Sequence, residues 1–147
     1  MKHIIFLCHG NICRSPAAEM ICVNLLKEKR LDHLYKVSSY ALTREEIGNP
    51  FYPPMAKALK SLGIPIFYHE ATLFTEDAYN DADMVFYMDK ENQWLITYRF
   101  KDPKNIIKPI SIYTPSINEI EDPWYSGEYE KVARQLLTCI KDIVERL

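Results

Sequence analysis

Residues 3–16 read HIIFLCHGNICRSP, and the reading of this stretch decides the fold. His3–Leu7 is a short apolar run, the pattern of a strand buried on both faces. From Pro16 the period changes. Ala17, Ala18, Met20, Ile21, Val23, Leu25 and Leu26 predict a helix reaching about Arg30. Proline suits a first helical position, and Ser15 before it reads as the N-cap. Cys8–Arg14 is then a tight loop between a buried strand and a helix start.

Working outward, Tyr35–Ser39, Ile64–Tyr68 and Met84–Met88 predict further strands, as does Ile106–Ile112, broken by Pro109. Helices are expected over Met55–Leu62, closed by Gly63, over Thr75–Asp81 and over Lys90–Tyr98. A last helix runs from about Glu128 to the end, with Val132, Leu136, Leu137, Ile140, Ile143 and Val144 as its apolar stripe. Loops rich in proline and glycine separate these elements, notably Gly48–Pro54 and the segment up to Gly127. Alternating strands and helices predict an α/β fold, a parallel sheet covered by helices on both faces. Ligands of such sheets bind outside the carboxyl ends of the strands, where Cys8–Arg14 lies.

Composition narrows the function. A chain of 147 residues suits a single domain, residues 1–147, around one core. Hydrophobic residues at 48% and charged residues at 26% fit an ordinary globular protein. A net charge of −2, with lysine and arginine scattered apart from Lys27–Arg30, argues against nucleic acid as a partner. The run Ile4–Leu7 is too short for a signal peptide or a membrane span. Without such a signal, the four cysteines read as thiols of a reducing compartment, so a cytoplasmic protein is expected.

The loop chemistry points to an anion. Backbone N–H groups between a strand and a helix start converge with the helix dipole into a phosphate site. Gly10 allows close backbone approach and unusual dihedrals, and Asn11 tolerates the left-handed region. Arg14 can grip two phosphate oxygens with its planar fork. The same positive surroundings favour a thiolate on Cys8, placed as an in-line nucleophile, with Ser15 able to donate to its sulfur. The leaving alkoxide or phenoxide needs a proton donor. Asp122, in EDPWYSG after the last strand, is the candidate, and Trp124 and Tyr125 beside it can hold an aryl ring.

With these residues in place, the chain resembles the low-molecular-weight protein tyrosine phosphatases. CHGNICRSPAAE (residues 8–19) matches that family's phosphate loop, and DPWYSG (122–127) matches its general-acid loop. EIGNP (46–50) and MDKENQWLI (88–96) match further family segments, so the resemblance spans essentially the whole chain. It implies a three-layer doubly wound fold with a central four-stranded parallel sheet. It also implies hydrolysis of phosphotyrosine through a phosphocysteine on Cys8, with Arg14 binding phosphate, Asp122 as acid and then base, and no metal or cofactor. His9, Gly10, Asn11, Ile12, Cys13 and Ser15 would contact the phosphate end of the substrate. Asn11, Ser15, Ser39 and His69 match the network that holds the loop in shape. Cys13 matches a second loop cysteine able to form a reversible disulfide with Cys8. The implied partner is a tyrosine-phosphorylated protein or peptide, met by a monomer with no nucleic acid or membrane partner.

Three positions depart from the family pattern: Glu45 stands where an aromatic commonly lines the cleft, Tyr40 follows Ser39, and Thr72 replaces an arginine. An acidic residue at the cleft mouth is expected to disfavour acidic phosphopeptides. Related phosphoarginine phosphatases resemble CTGNTCRS in the loop, and Ile12 in place of their threonine suits an aromatic ring better. A thioredoxin-coupled arsenate reductase needs two further cysteines in a mobile segment, whereas Cys22 and Cys139 fall on predicted helices. A phosphate-binding module without turnover needs neither Cys8 nor Asp122.

Overall fold

The computed structural model describes all 147 residues. Four strands, β1 (Lys2–Cys8), β2 (Tyr35–Ala41), β3 (Met84–Tyr87) and β4 (Ile107–Pro109), form one sheet in the order β2-β1-β3-β4. Every pairing is parallel, with Ile4 opposite Val37 and Met84, and Val85 opposite Ile107. The helices are α1 (Arg14–Glu28), α2 (Pro53–Ser61), α3 (Glu76–Asp81), α4 (Lys90–Arg99), α5 (Pro123–Ser126) and α6 (Tyr129–Val144).

The alternation of side chains along β1 divides the core. Ile4, Phe6 and Cys8 face a large cluster with Ala17, Ile21, Leu25, Met55, Leu136 and Ile140 from α1, α2 and α6. Ile5 and Leu7 face a smaller cluster with Phe74, Tyr79, Val85 and Ile96, on the side of α3 and α4. The three expected layers are therefore present, and β1 is buried on both faces from His3 onward. The α6 stripe is buried at Val132, Leu136, Ile140, Ile143 and Val144, joined by Ala133 and Cys139, while Leu137 is half-buried at its margin.

Four expectations are corrected. The first helix begins at Arg14, with Cys13 at the N-cap and its carbonyl accepting from Ala17 N at 3.1 Å, so Ser15 is not the cap. Pro16 sits in the first turn, where a missing N–H leaves no intrahelical bond unmade. Ile64–Tyr68 forms no strand. Its first N–H turns back to Leu59 O at 3.0 Å, closing α2 behind Gly63, and Pro65 has no N–H for a ladder. The last strand is only three residues long, ending at the proline that interrupts it. Finally, Pro123–Ser126 is a single helical turn where a loop was expected, closed by Gly127 at φ 74°.

The loop after β1 and the segment after β3 meet where the connections of these neighbouring strands part to opposite sides, one by α1 to β2 and the other by α4 to β4. That crevice is the site a doubly wound sheet offers a ligand. Ile140 is fully buried where α6 meets the sheet-side cluster. Replacing Ile140→Ala is expected to lower unfolding free energy by about 2–5 kcal/mol in urea denaturation.

Candidate active site

Residues 8–14 curl around a cavity of about 190 Å³, lined also by Glu45, Glu46, Tyr52, Asp122, Trp124, Tyr125 and Tyr129. At its floor Cys8 is 3% exposed. Its Sγ stands 3.0 Å from Ser15 Oγ and accepts from Asn11 N at 3.3 Å.

Asn11 is the hub of the loop. Its backbone takes φ 62°, the left-handed region that asparagine tolerates, whereas Gly10 has no such dihedral. At Gly10 the space is instead tight: a Cβ there would lie 3.1 Å from Glu46 Cγ, and that side chain would have to give by a few tenths of an ångström. The Asn11 side-chain amide donates to Ser15 Oγ at 2.7 Å and Ser39 Oγ at 3.0 Å, and its Oδ1 accepts from Thr72 N at 3.0 Å. With Asn11 donating to it, Ser15 is free to turn its own proton toward Cys8 Sγ. His69 Nε2 lies 2.7 Å from the Asn11 carbonyl, which only accepts, so Nε2 carries the proton. Ser39 and His69 therefore both touch the loop. Burial pulls the His69 pKa down despite that bond, keeping the ring neutral.

Arg14 is 3% exposed, and its Nη1 donates to Asp89 Oδ2 at 2.6 Å and to the Ile120 carbonyl at 2.8 Å. Its Nη2 is 3.8 Å from Asp122 Oδ2. Burial disfavours the cation, but the opposing charges of Cys8, Asp89 and Asp122 outweigh it, so the Arg14 pKa is raised. Asp122 caps α5, accepting from Trp124 N at 3.0 Å, with its other oxygen toward Arg14. Asp122, more than a hundred residues along the chain from Cys8 and Arg14, thus joins them at one cavity.

Sequence reasoning missed several contributors. Asp89 serves twice: Oδ1 caps α4 by accepting from Asn92 N at 2.8 Å, and Oδ2 holds Arg14. It lies within MDKENQWLI, but nothing local distinguishes it from an ordinary N-cap. Glu19 accepts from Ser39 Oγ at 2.6 Å, and burial pushes its carboxyl up to about 7. Tyr52 stacks obliquely between Trp124 and Tyr129, with ring centroids 5.7 and 5.9 Å away, and its N–H bonds to the Ile12 carbonyl. Tyr52 and Tyr129 carry no sequence signal beyond aromaticity. Trp124 and Tyr125 are exposed at the cleft mouth, 64% and 87%. Ile12 and Cys13 line the cavity, and burial raises the Cys13 thiol well above its usual range.

His69, lowered from 6.5, has its stabilising contribution above the unfolded pKa, and loses it as pH falls through the folded value. Stability of the natural chain is therefore expected to fall more steeply below pH 6.5 than that of His69→Gln, measured by thermal melts across pH.

The sequence profile described as low molecular weight phosphotyrosine protein phosphatase matches residues 3–147. The low molecular weight phosphotyrosine protein phosphatase of Gallus gallus is 32% identical, over 99% of this chain and 96% of its own. The crystal structure of YfkJ from Bacillus subtilis superposes with a TM-score of 0.92 at 30% identity, covering 99% of this chain and 94% of that one. A structure of the YwlE arginine phosphatase, with its active-site serine phosphorylated, shares the fold at a TM-score of 0.86 and 24% identity, covering 99% of this chain and 95% of its own. The chain belongs to the low molecular weight phosphotyrosine protein phosphatase family, a family of hydrolases.

Proposed function

We propose that this chain hydrolyses phosphotyrosine in proteins or peptides through a phosphocysteine intermediate on Cys8. The observation that carries the reading is the convergence of Cys8, Arg14 and Asp122 on one cavity with aromatic walls. The phosphate dianion sits in the loop, held by backbone N–H groups and by the Arg14 donors not engaged by Asp89 and Ile120. Cys8 Sγ attacks phosphorus as the bond to the phenolic oxygen breaks, and Asp122 gives its proton to that oxygen. Ser15 donates to Cys8 Sγ and stabilises the sulfur as it later leaves. In the second step Asp122, now a carboxylate, takes a proton from water as the water oxygen attacks phosphorus and the S–P bond breaks. Phosphate and the Cys8 thiolate are regenerated.

The walls favour an aryl group. Ile12, Tyr52 and Trp124 offer an apolar slot suited to a phenyl ring rather than a phosphorylated guanidinium. A disulfide relay outward has little support, because Cys22 and Cys139 are fully buried and burial pushes the Cys139 thiol up to about 11. Cys13 acts as a guard. When an oxidant converts Cys8 to a sulfenic acid, the Cys13 thiol condenses with it, releasing water and forming a disulfide that thiols reduce. Four free thiols suit a reducing compartment such as the cytoplasm, and no helix is long and apolar enough to cross a membrane.

Cys8→Ser is expected to lose turnover of aryl phosphates while still binding inorganic phosphate, read by steady-state kinetics and titration calorimetry. Substantial residual hydrolysis would remove Cys8 from the nucleophile role. Asp122→Asn is expected to slow phenyl phosphates with poor leaving groups about a hundredfold or more, and those with good leaving groups far less. Equal slowing would remove Asp122 from the acid role. Phosphoarginine and phosphoserine peptides in parallel decide the leaving-group class.

A further inference from the structure

The mouth of the cavity carries a device that the catalytic chemistry does not use. His9, the loop residue after Cys8, lies between two carboxylates from different parts of the chain. Its Nε2 is 2.8 Å from Glu45 Oε2 and its Nδ1 is 2.7 Å from Glu91 Oε1. A carboxylate oxygen only accepts, so both ring nitrogens donate, and the bridging ring is an imidazolium. Burial alone would lower the His9 pKa, but the bonds and charges of Glu45 and Glu91 raise it.

The strut fixes Glu45, a long side chain that on an exposed loop would otherwise sample many rotamers. The Glu45 side chain is 67% exposed, so the strut presents its charge at the mouth instead of hiding it. The imidazolium cancels one of the two clamped carboxylates and leaves one net negative charge. Glu46 adds another, its carboxylate accepting from the neutral amide of Asn49 at 2.6 Å. The cation among the lining side chains besides His9 is Arg14, buried at the floor. Glu91 stands outside the cavity lining, as do Arg44 and Lys90, so the carboxylates that reach the mouth itself are those of Glu45 and Glu46. Among the side chains that line the mouth, the carboxylates of Glu45 and Glu46 outnumber the one cation, His9, so the rim carries net negative charge.

We propose that Glu45, pinned by His9 and Glu91, makes this phosphatase selective for phosphotyrosine flanked by lysine or arginine. The inference rests on the phosphatase reading above. Glu45 acts by direct charge pairing with the peptide, and His9 and Glu91 are positioning residues. Because the rim is exposed, each pair contributes modestly and is screened by salt.

The test compares two phosphotyrosyl peptides of equal length, one with lysines and one with glutamates at the two positions on each side. The natural chain is expected to favour the lysine peptide by about tenfold in kcat/KM at low ionic strength, a preference that shrinks in high salt. Glu45→Gln is expected to bring the ratio of the two peptides down severalfold, and Glu91→Gln to lower it part of the way. Equal kcat/KM for both peptides, a preference for the glutamate peptide, or a ratio unchanged in Glu45→Gln overturns the proposal. If neither peptide nor a simple aryl phosphate turns over, the phosphatase reading fails. The rim is then judged by fluorescence anisotropy of the same two peptides on Cys8→Ser, where equal affinities overturn it and tighter binding of the lysine peptide supports it.

Discussion

A guanidinium buried to 3% exposure is the constraint around which the cleft is arranged. A charge taken out of water costs several kcal/mol unless partners surround it, and Arg14 draws those partners from distant parts of the chain. Asp89 comes from the end of β3, the Ile120 carbonyl and Asp122 from the long segment after β4. Removing any one leaves a cation short of partners in the interior. Arg14 also lines the cavity, so the interaction that ties the strand ends together sets the cation where the proposed reaction needs an anion held.

The second constraint is the shape of the loop itself. A single left-handed residue, Asn11, turns the backbone so that its N–H addresses Cys8. That conformation is unfavourable for most L-residues, and it persists because every polar atom of the Asn11 side chain is engaged. The network continues through Ser39 to Glu19 on α1 and, by the Asn11 carbonyl, to His69. Its two titratable ends lie behind the cavity, outside its lining, where burial favours their neutral forms.

Much of this was legible from residues 3–16, because a strand buried on both faces, a glycine-bearing loop and a helix start are short-range patterns. Asp122 was legible from its own aspartate-proline turn beside two aromatics, and the family segments extended the reading to Ser39 and His69. The failures have a common origin. The helix start was put two residues late, since proline preference at the first position outweighed the cap geometry of Cys13. Ile64–Tyr68 has a strand's composition, yet its first amide is taken by the end of α2, a competition that composition does not record.

The sequence by itself determined the layer order, the strand-loop-helix turn at Cys8–Arg14 and the chemical types of the proposed nucleophile, cation and acid, because these depend on local periodicity and on side-chain chemistry. Only the tertiary structure decided which carboxylates serve them. Asp89, Glu19 and Glu91 are alike in sequence, and each could have been a solvated surface charge; the resemblance puts Glu45 at the cleft mouth but not against His9. Their tasks follow from the crossover of the chain at β1, which brings the ends of β1 and β3 and the loops after β2 and β4 to one edge of the sheet. There a buried arginine and a bridging histidine select their partners by distance, a quantity that exists only once the chain is folded.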